Sequence, residues 1–163
     1  MLRFATVLAI AVWIGGLLAL GAIAAPAIFD VVAARGVADG RLLAGAIFGE
    51  ALRRFHLVAY GCGAVIVLGL FTRAVLGPRP RHFALRLALA TIMLAAALYS
   101  GLALSQRIAS VQREIGRGVA ASSLPENDPR RVAFGRLHGL STLIQLVPLV
   151  GGMALIGLEL SDH

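Results

Sequence analysis

The sequence predicts an all-α integral membrane protein, a bundle of four transmembrane helices forming one domain over residues 1–163. Three observations lead there. Of 163 residues, 59% are hydrophobic and only 14% are charged, against about 25% charged in soluble domains. Mean hydropathy is +0.88. The apolar residues also gather in four runs, at about 4–29, 55–72, 87–104 and 132–158, each bounded by charged side chains. About 20 helical residues cross a ~30 Å hydrocarbon core, and arginines at helix ends can snorkel, so even the 18-residue runs are long enough.

The first run, Phe4 to Phe29, carries no charge over 26 residues. Arg3 and Ala22-Ile23-Ala24 imitate a signal peptide with its cleavage site. Signal h-regions are about 7–15 residues long, so a retained helix is the expectation. Trp13, with Gly15-Gly16 beside it, is expected to pack against a closely approaching helix. Pro26 is tolerable because neighbours re-satisfy freed carbonyls in a transmembrane helix.

Between the first two runs, Asp30 to Arg54 mixes charge with apolar pairs at helical spacing: Leu42-Leu43, Ala46-Ile47 and Ala51-Leu52. That pattern predicts an amphipathic interfacial segment leading into the second span. The second run is interrupted only by His56, and Gly77-Pro78-Arg79-Pro80-Arg81 must turn after it. His82 reads as an interfacial side chain. The third run continues in helical pattern through Gln106–Arg117, and Gly116, Gly118 and Pro125 break it. Asn127-Asp128-Pro129 is a helix start, with Asp as N-cap and Pro at the first helical position, and the fourth helix should reach about Leu160.

The net charge is +7, carried by 15 arginines and no lysine. In a soluble chain this would point to nucleic acid. Here the arginines cluster at the ends of apolar runs, which is the pattern of headgroup contact and topology control, and no nucleic acid partner is expected. The avoidance of lysine fits a GC-rich bacterial genome, and the expected location is the inner (plasma) membrane, spanned several times. Counting arginines by the positive-inside rule, ten lie on the side of the two longer loops and five on the side of the termini, which favours termini facing out. The single Cys62, between Gly61 and Gly63, reads as a small packing residue.

Polar residues inside the runs are the functional candidates. On the fourth helix Phe134, His138, Ser141, Gln145, Pro148 and Gly152 share a face, with Arg131 continuing it outward. Arg53, His56, Tyr60 and Gly63 share another on the second. Both helices enter from the long-loop side, and the third leaves there, bringing Tyr99 and Ser100 to a similar depth. The expectation is a pocket open to one side, built from His56, Tyr60, Tyr99, Ser100, His138, Ser141 and Gln145. Arg53, Arg54, Arg107 and Arg136 would ring its mouth. Intramembrane ionisable groups mark functional sites, yet Ser, Gln and His also serve as interhelical glue worth about 0.6–2 kcal/mol per contact. Both readings stand at this point.

A metal needs three or four convergent ligands, and His56 and His138 are two. Cys62 lies about 240° round its helix from His56, a poor third. No cofactor is expected, with haem b or a transition metal held by the two histidines as the alternative. There is no nucleophile–base arrangement, phosphate loop or zinc spacing, so enzyme activity is not expected. A transport component or an accessory subunit of a membrane complex is, and with four spans transport would call for a homo-oligomer or a larger assembly in the lipid bilayer.

Asp128-Pro129 followed by Phe134-x-x-x-His138-Gly139-Leu140-Ser141 resembles the fourth-helix signature of the transmembrane protein 205-like family, small membrane proteins whose activity is not established. Phe55-His56 with Gly61-Cys62 extends the likeness, as do Trp13-Ile14-Gly15-Gly16 and Pro26-x-x-Phe29. The resemblance implies a four-helix membrane domain with His138 and His56 as its residues of interest. The first-helix pattern is also distantly similar to the copper-resistance D domain. Such proteins tend to carry a histidine early in the first helix, and none lies between Met1 and Asp30 here.

Overall fold

Four long helices account for the fold: α1 (Leu2–Ala34), α2 (Gly40–Leu76), α3 (Phe83–Ile115) and α4 (Pro129–Leu160), all apolar enough to cross a membrane. The structure is a computed structural model and describes residues 1–37, 39–77, 79–116 and 118–161. The expected turn residue Pro78, the end of the helical extension at Arg117, and Asp162-His163 of the tail lie outside the described residues.

The helices form a ring in which α1 packs on α2 and α4, and α3 packs on α2 and α4. Consequently α2 and α4 stand diagonally. The core between them is Ile10, Trp13, Ala59, Ile66, Leu70, Met93, Ala97 and Leu155, all nearly excluded from the surface. Close approach at glycine makes this packing work. A Cβ on Gly63 would meet Leu94 Cδ1 at 2.7 Å and Trp13 at 3.2 Å, and one on Gly152 would meet Ile14 at 2.6 Å. Trp13 is thus buried where a neighbouring helix comes closest, as its surroundings in the sequence predict. Cys62 is likewise a buried, free thiol in the packing.

Two helices contain a wide π turn, at Ala19–Ala24 in α1 and Tyr99–Leu104 in α3. The first has a local cause. Pro26 has no N–H to give and its ring would strike the carbonyl four residues back, so the preceding turn widens. No proline explains the second, which lies at the candidate site.

The amphipathic stretch before the second span is helical but not a separate interfacial segment. Helix α2 runs unbroken for 37 residues, about 55 Å against a ~30 Å core. Nothing from Gly40 to Phe55 interrupts the backbone ladder, since Gly45 and Gly49 weaken a helix without removing a hydrogen bond. Its polar face is instead tied internally: Arg53 and Arg54 both bond Glu50, at 2.7 and 2.8 Å. Helix α3 likewise continues through Ser105–Ile115, and that extension packs on α4. The start of α4 follows the sequence signal. Asp128 accepts from the Arg130 backbone N–H at 2.8 Å, with Pro129 in the first position.

Candidate functional site

Of the two histidines expected at the site, His56 is the buried one. It is 6% exposed, on the face of α2 that packs against α3. Its Nδ1 lies 2.9 Å from the Leu52 carbonyl one turn back. A carbonyl can only accept, so Nδ1 carries the hydrogen and, in the neutral ring, Nε2 keeps its lone pair. That nitrogen is buried and has no hydrogen-bond partner among the described residues. The Tyr60 ring lies 6.0 Å away, centroid to centroid, and tilted.

The π turn of α3 closes the other side. Gly101 lies so near that a Cβ there would strike the Tyr60 hydroxyl and sit 2.9 Å from the His56 ring. Gly101 therefore packs directly against two of the candidate residues, and sequence reasoning passed it over. The dipeptide Ser100-Gly101 after Tyr99 was its only signal. Next to it, buried Ser100 accepts from Gln145 Nε2 across 3.5 Å, the long end of hydrogen bonding, which links α3 to α4.

The remaining predicted residues spread out. Tyr99 is 44% exposed, turned from the bundle, while Ser141 is half-buried. His138 is exposed, and its ring stacks on Phe134 at 6.3 Å, nearly parallel. The physical reason is the diagonal placement of α2 and α4. The helical stripe from Phe134 to Gly152 is buried at its Pro148 and Gly152 end but leaves the bundle at its His138 end, where α4 lies against the α3 extension. His56 and His138 thus occupy different environments, and no cluster of three or more His, Cys, Asp or Glu exists among the described residues. Of the expected rim, Arg53 and Arg54 are exposed and paired with Glu50, while Arg107 and Arg136 are exposed.

A second polar centre, at the opposite end of the bundle, has no counterpart in the expected site. Glu159, 3% exposed, accepts from Arg86 at 2.6 Å and from Arg73 at 2.8 Å, and pairs with Arg3 at 3.3 Å. Arg86, fully buried, also donates to the Leu158 carbonyl at 2.5 Å, and Arg3 donates to the Glu159 carbonyl. All four helices meet in this network. Its signal was available in the sequence: one acid ends the last run, and arginines sit at the same-side ends of the other three.

The family model described as a domain of unknown function (DUF4149) matches residues 8–117. The chain belongs to that family. The DUF4149 match takes in His56, Tyr60, Ser100 and Gly101, and it stops short of α4. It lends no support to the likeness with the transmembrane protein 205-like family or the copper-resistance D domain, and the His138-Gly139-Leu140-Ser141 tetrapeptide lies beyond it. No curated protein and no solved structure matches the chain.

Proposed function

We propose that this DUF4149 protein is a non-enzymatic membrane component, a transport component or accessory subunit, whose working centre is the polar cluster of His56, Tyr60, Ser100 and Gln145. One observation carries the reading: the buried Nε2 of His56 has no partner among the described residues. A buried acceptor left unsatisfied costs about 1–3 kcal/mol. Glue would spend both ring nitrogens on neighbouring helices, whereas His56 binds only its own helix. The chemistry of the cluster suits a small hydrogen-bond donor, such as an ammonium-type solute, or a cation that takes an imidazole nitrogen.

The same lone pair favours one further reading, in which Nε2 ligates haem or a transition metal. Fixing Nδ1–H on a carbonyl is how metal-binding histidines are oriented. His138 is exposed and stacks on Phe134, and no group of three or more His, Cys, Asp or Glu accompanies His56 among the described residues.

Native mass spectrometry of the detergent-purified chain beside His56→Leu and His138→Ala tests both, with optical spectra and metal analysis on the same samples. An adduct lost in His56→Leu and kept in His138→Ala supports the cluster. A Soret band or stoichiometric metal that depends on His56 selects the second reading. Identical adduct-free spectra for all three proteins contradict both.

A further inference from the structure

We propose that the end of the bundle carrying the chain termini binds an anionic phospholipid, its phosphate on Arg79 and Arg81 and one acyl chain in the groove between α3 and α4. This site is independent of the His56 cluster. His56 lies 17 residues from Arg73 along α2, about 25 Å at helical rise.

The groove is an outward-facing cavity of about 390 Å³, lined by Leu89, Ile92 and Met93 from α3 and by Val147, Val150 and Ala154 from α4. Met93 forms its floor, and Gly151 leaves room for it: a Cβ there would meet Met93 Cγ at 2.8 Å. The lining is apolar and runs along the helices, the shape and chemistry of a hydrocarbon chain.

What lies above one end of the groove fixes the occupant. Leu89 is three residues from Arg86 and Ala154 five from Glu159, about 4.5 and 7.5 Å along their helices. The groove therefore opens just beneath the guanidinium network. That end of the molecule carries Arg3, Arg73, Arg79, Arg81 and Arg86 against Glu159 and, in the sequence, Asp162, an excess of three positive charges. Arg3, Arg73 and Arg86 are engaged with Glu159. Arg79 and Arg81 are exposed, enter no ion pair among the described residues, and directly precede α3. A guanidinium fork pairs phosphate oxygens two at a time, and juxtamembrane arginines attract anionic lipid by about 1 kcal/mol each. A zwitterionic lipid would bring its own cation to the same surface, so the charge pattern favours an anionic head.

The test is native mass spectrometry of the full chain from detergent micelles containing equimolar dioleoylphosphatidylglycerol and dioleoylphosphatidylcholine. The glycerol lipid should be retained in preference, by about fivefold for each arginine engaged. Arg79→Ala/Arg81→Ala should abolish the preference while leaving the melting temperature in lipid-free detergent unchanged. Ala154→Phe, which fills the groove, should reduce retention of both lipids. Equal retention of the two lipids by the wild type overturns the proposal, and so does a preference that survives the double substitution. Undiminished retention in Ala154→Phe removes the acyl-chain half. If millimolar inorganic phosphate displaces the glycerol lipid and matches its thermal stabilisation, the site takes a free anion and the lipid assignment fails.

Discussion

Arg86 and Glu159, 73 residues apart in the chain, meet at 2.6 Å with both side chains withdrawn from the surface. Their bond joins the start of α3 to the end of α4, and Arg73 on the same carboxylate oxygen adds the end of α2. Three arginines share one carboxylate, so that carboxylate holds the bundle's end together.

Glu159→Gln should therefore be among the most destabilising single changes in the protein, by about 3–5 kcal/mol, because it removes a buried carboxylate charge that three guanidinium groups face. Arg3→Ala, at the partly exposed edge of the same network, should cost about 1 kcal/mol or less. Arg86→Met combined with Glu159→Leu should regain only part of the loss, since the fully buried cation is removed with the carboxylate while Arg73 and Arg3 keep their charges beside it. Chemical denaturation in mixed micelles measures all three.

Gly101→Ala should destabilise the bundle by about 1–3 kcal/mol, because its methyl group overlaps the Tyr60 hydroxyl and presses on the His56 ring. Tyr60→Phe removes the hydroxyl. The double variant should accordingly be more stable than the sum of the single effects. A double-mutant cycle that comes out additive would show that the π turn does not press on Tyr60.

Asp128 supplies a pH-dependent contribution at the start of α4. The Arg130 guanidinium, the Arg130 backbone N–H and the Arg131 backbone N–H hold its carboxyl well below the usual carboxylate range, at about 2. A group whose pKa is lowered on folding stabilises the fold fully above its ordinary value, and the contribution is lost as pH falls through the folded value. The first turn of α4 should hence keep its hydrogen-exchange protection above about pH 4 and lose it towards pH 2. Asp128→Asn, still able to cap, should flatten that dependence. Equal pH dependence in both proteins would contradict the assignment.

The helices were legible in the sequence because each signal was local: uncharged runs, Asp128-Pro129 as a cap, arginines at run ends. The length of α2 was less so. Glu50, Arg53 and Arg54 read as an interface boundary, whereas their i,i+3 and i,i+4 ion pairs are satisfied along one continuous helix. Two pairs among the expected site residues are neighbours: His56 with Tyr60 on α2, and Ser100 with Gln145 across α3 and α4. His138 does not join them, because face and depth say nothing about which helices are neighbours, and the ring places α2 and α4 on the diagonal. Gly101 and the π turn around it escaped for a related reason. A close approach belongs to two helices at once and leaves no mark on either alone.

The central claim is that His56 serves a ligand rather than the fold, and the melting temperature of His56→Leu after exhaustive detergent exchange tests it most directly. Leucine has about the volume of histidine and no nitrogen to leave unsatisfied. If the buried Nε2 is held in readiness for a ligand, its removal should leave the melting temperature unchanged or raise it by a few degrees. A fall of several degrees would mean that His56 holds the helices together, and the proposed function would fail.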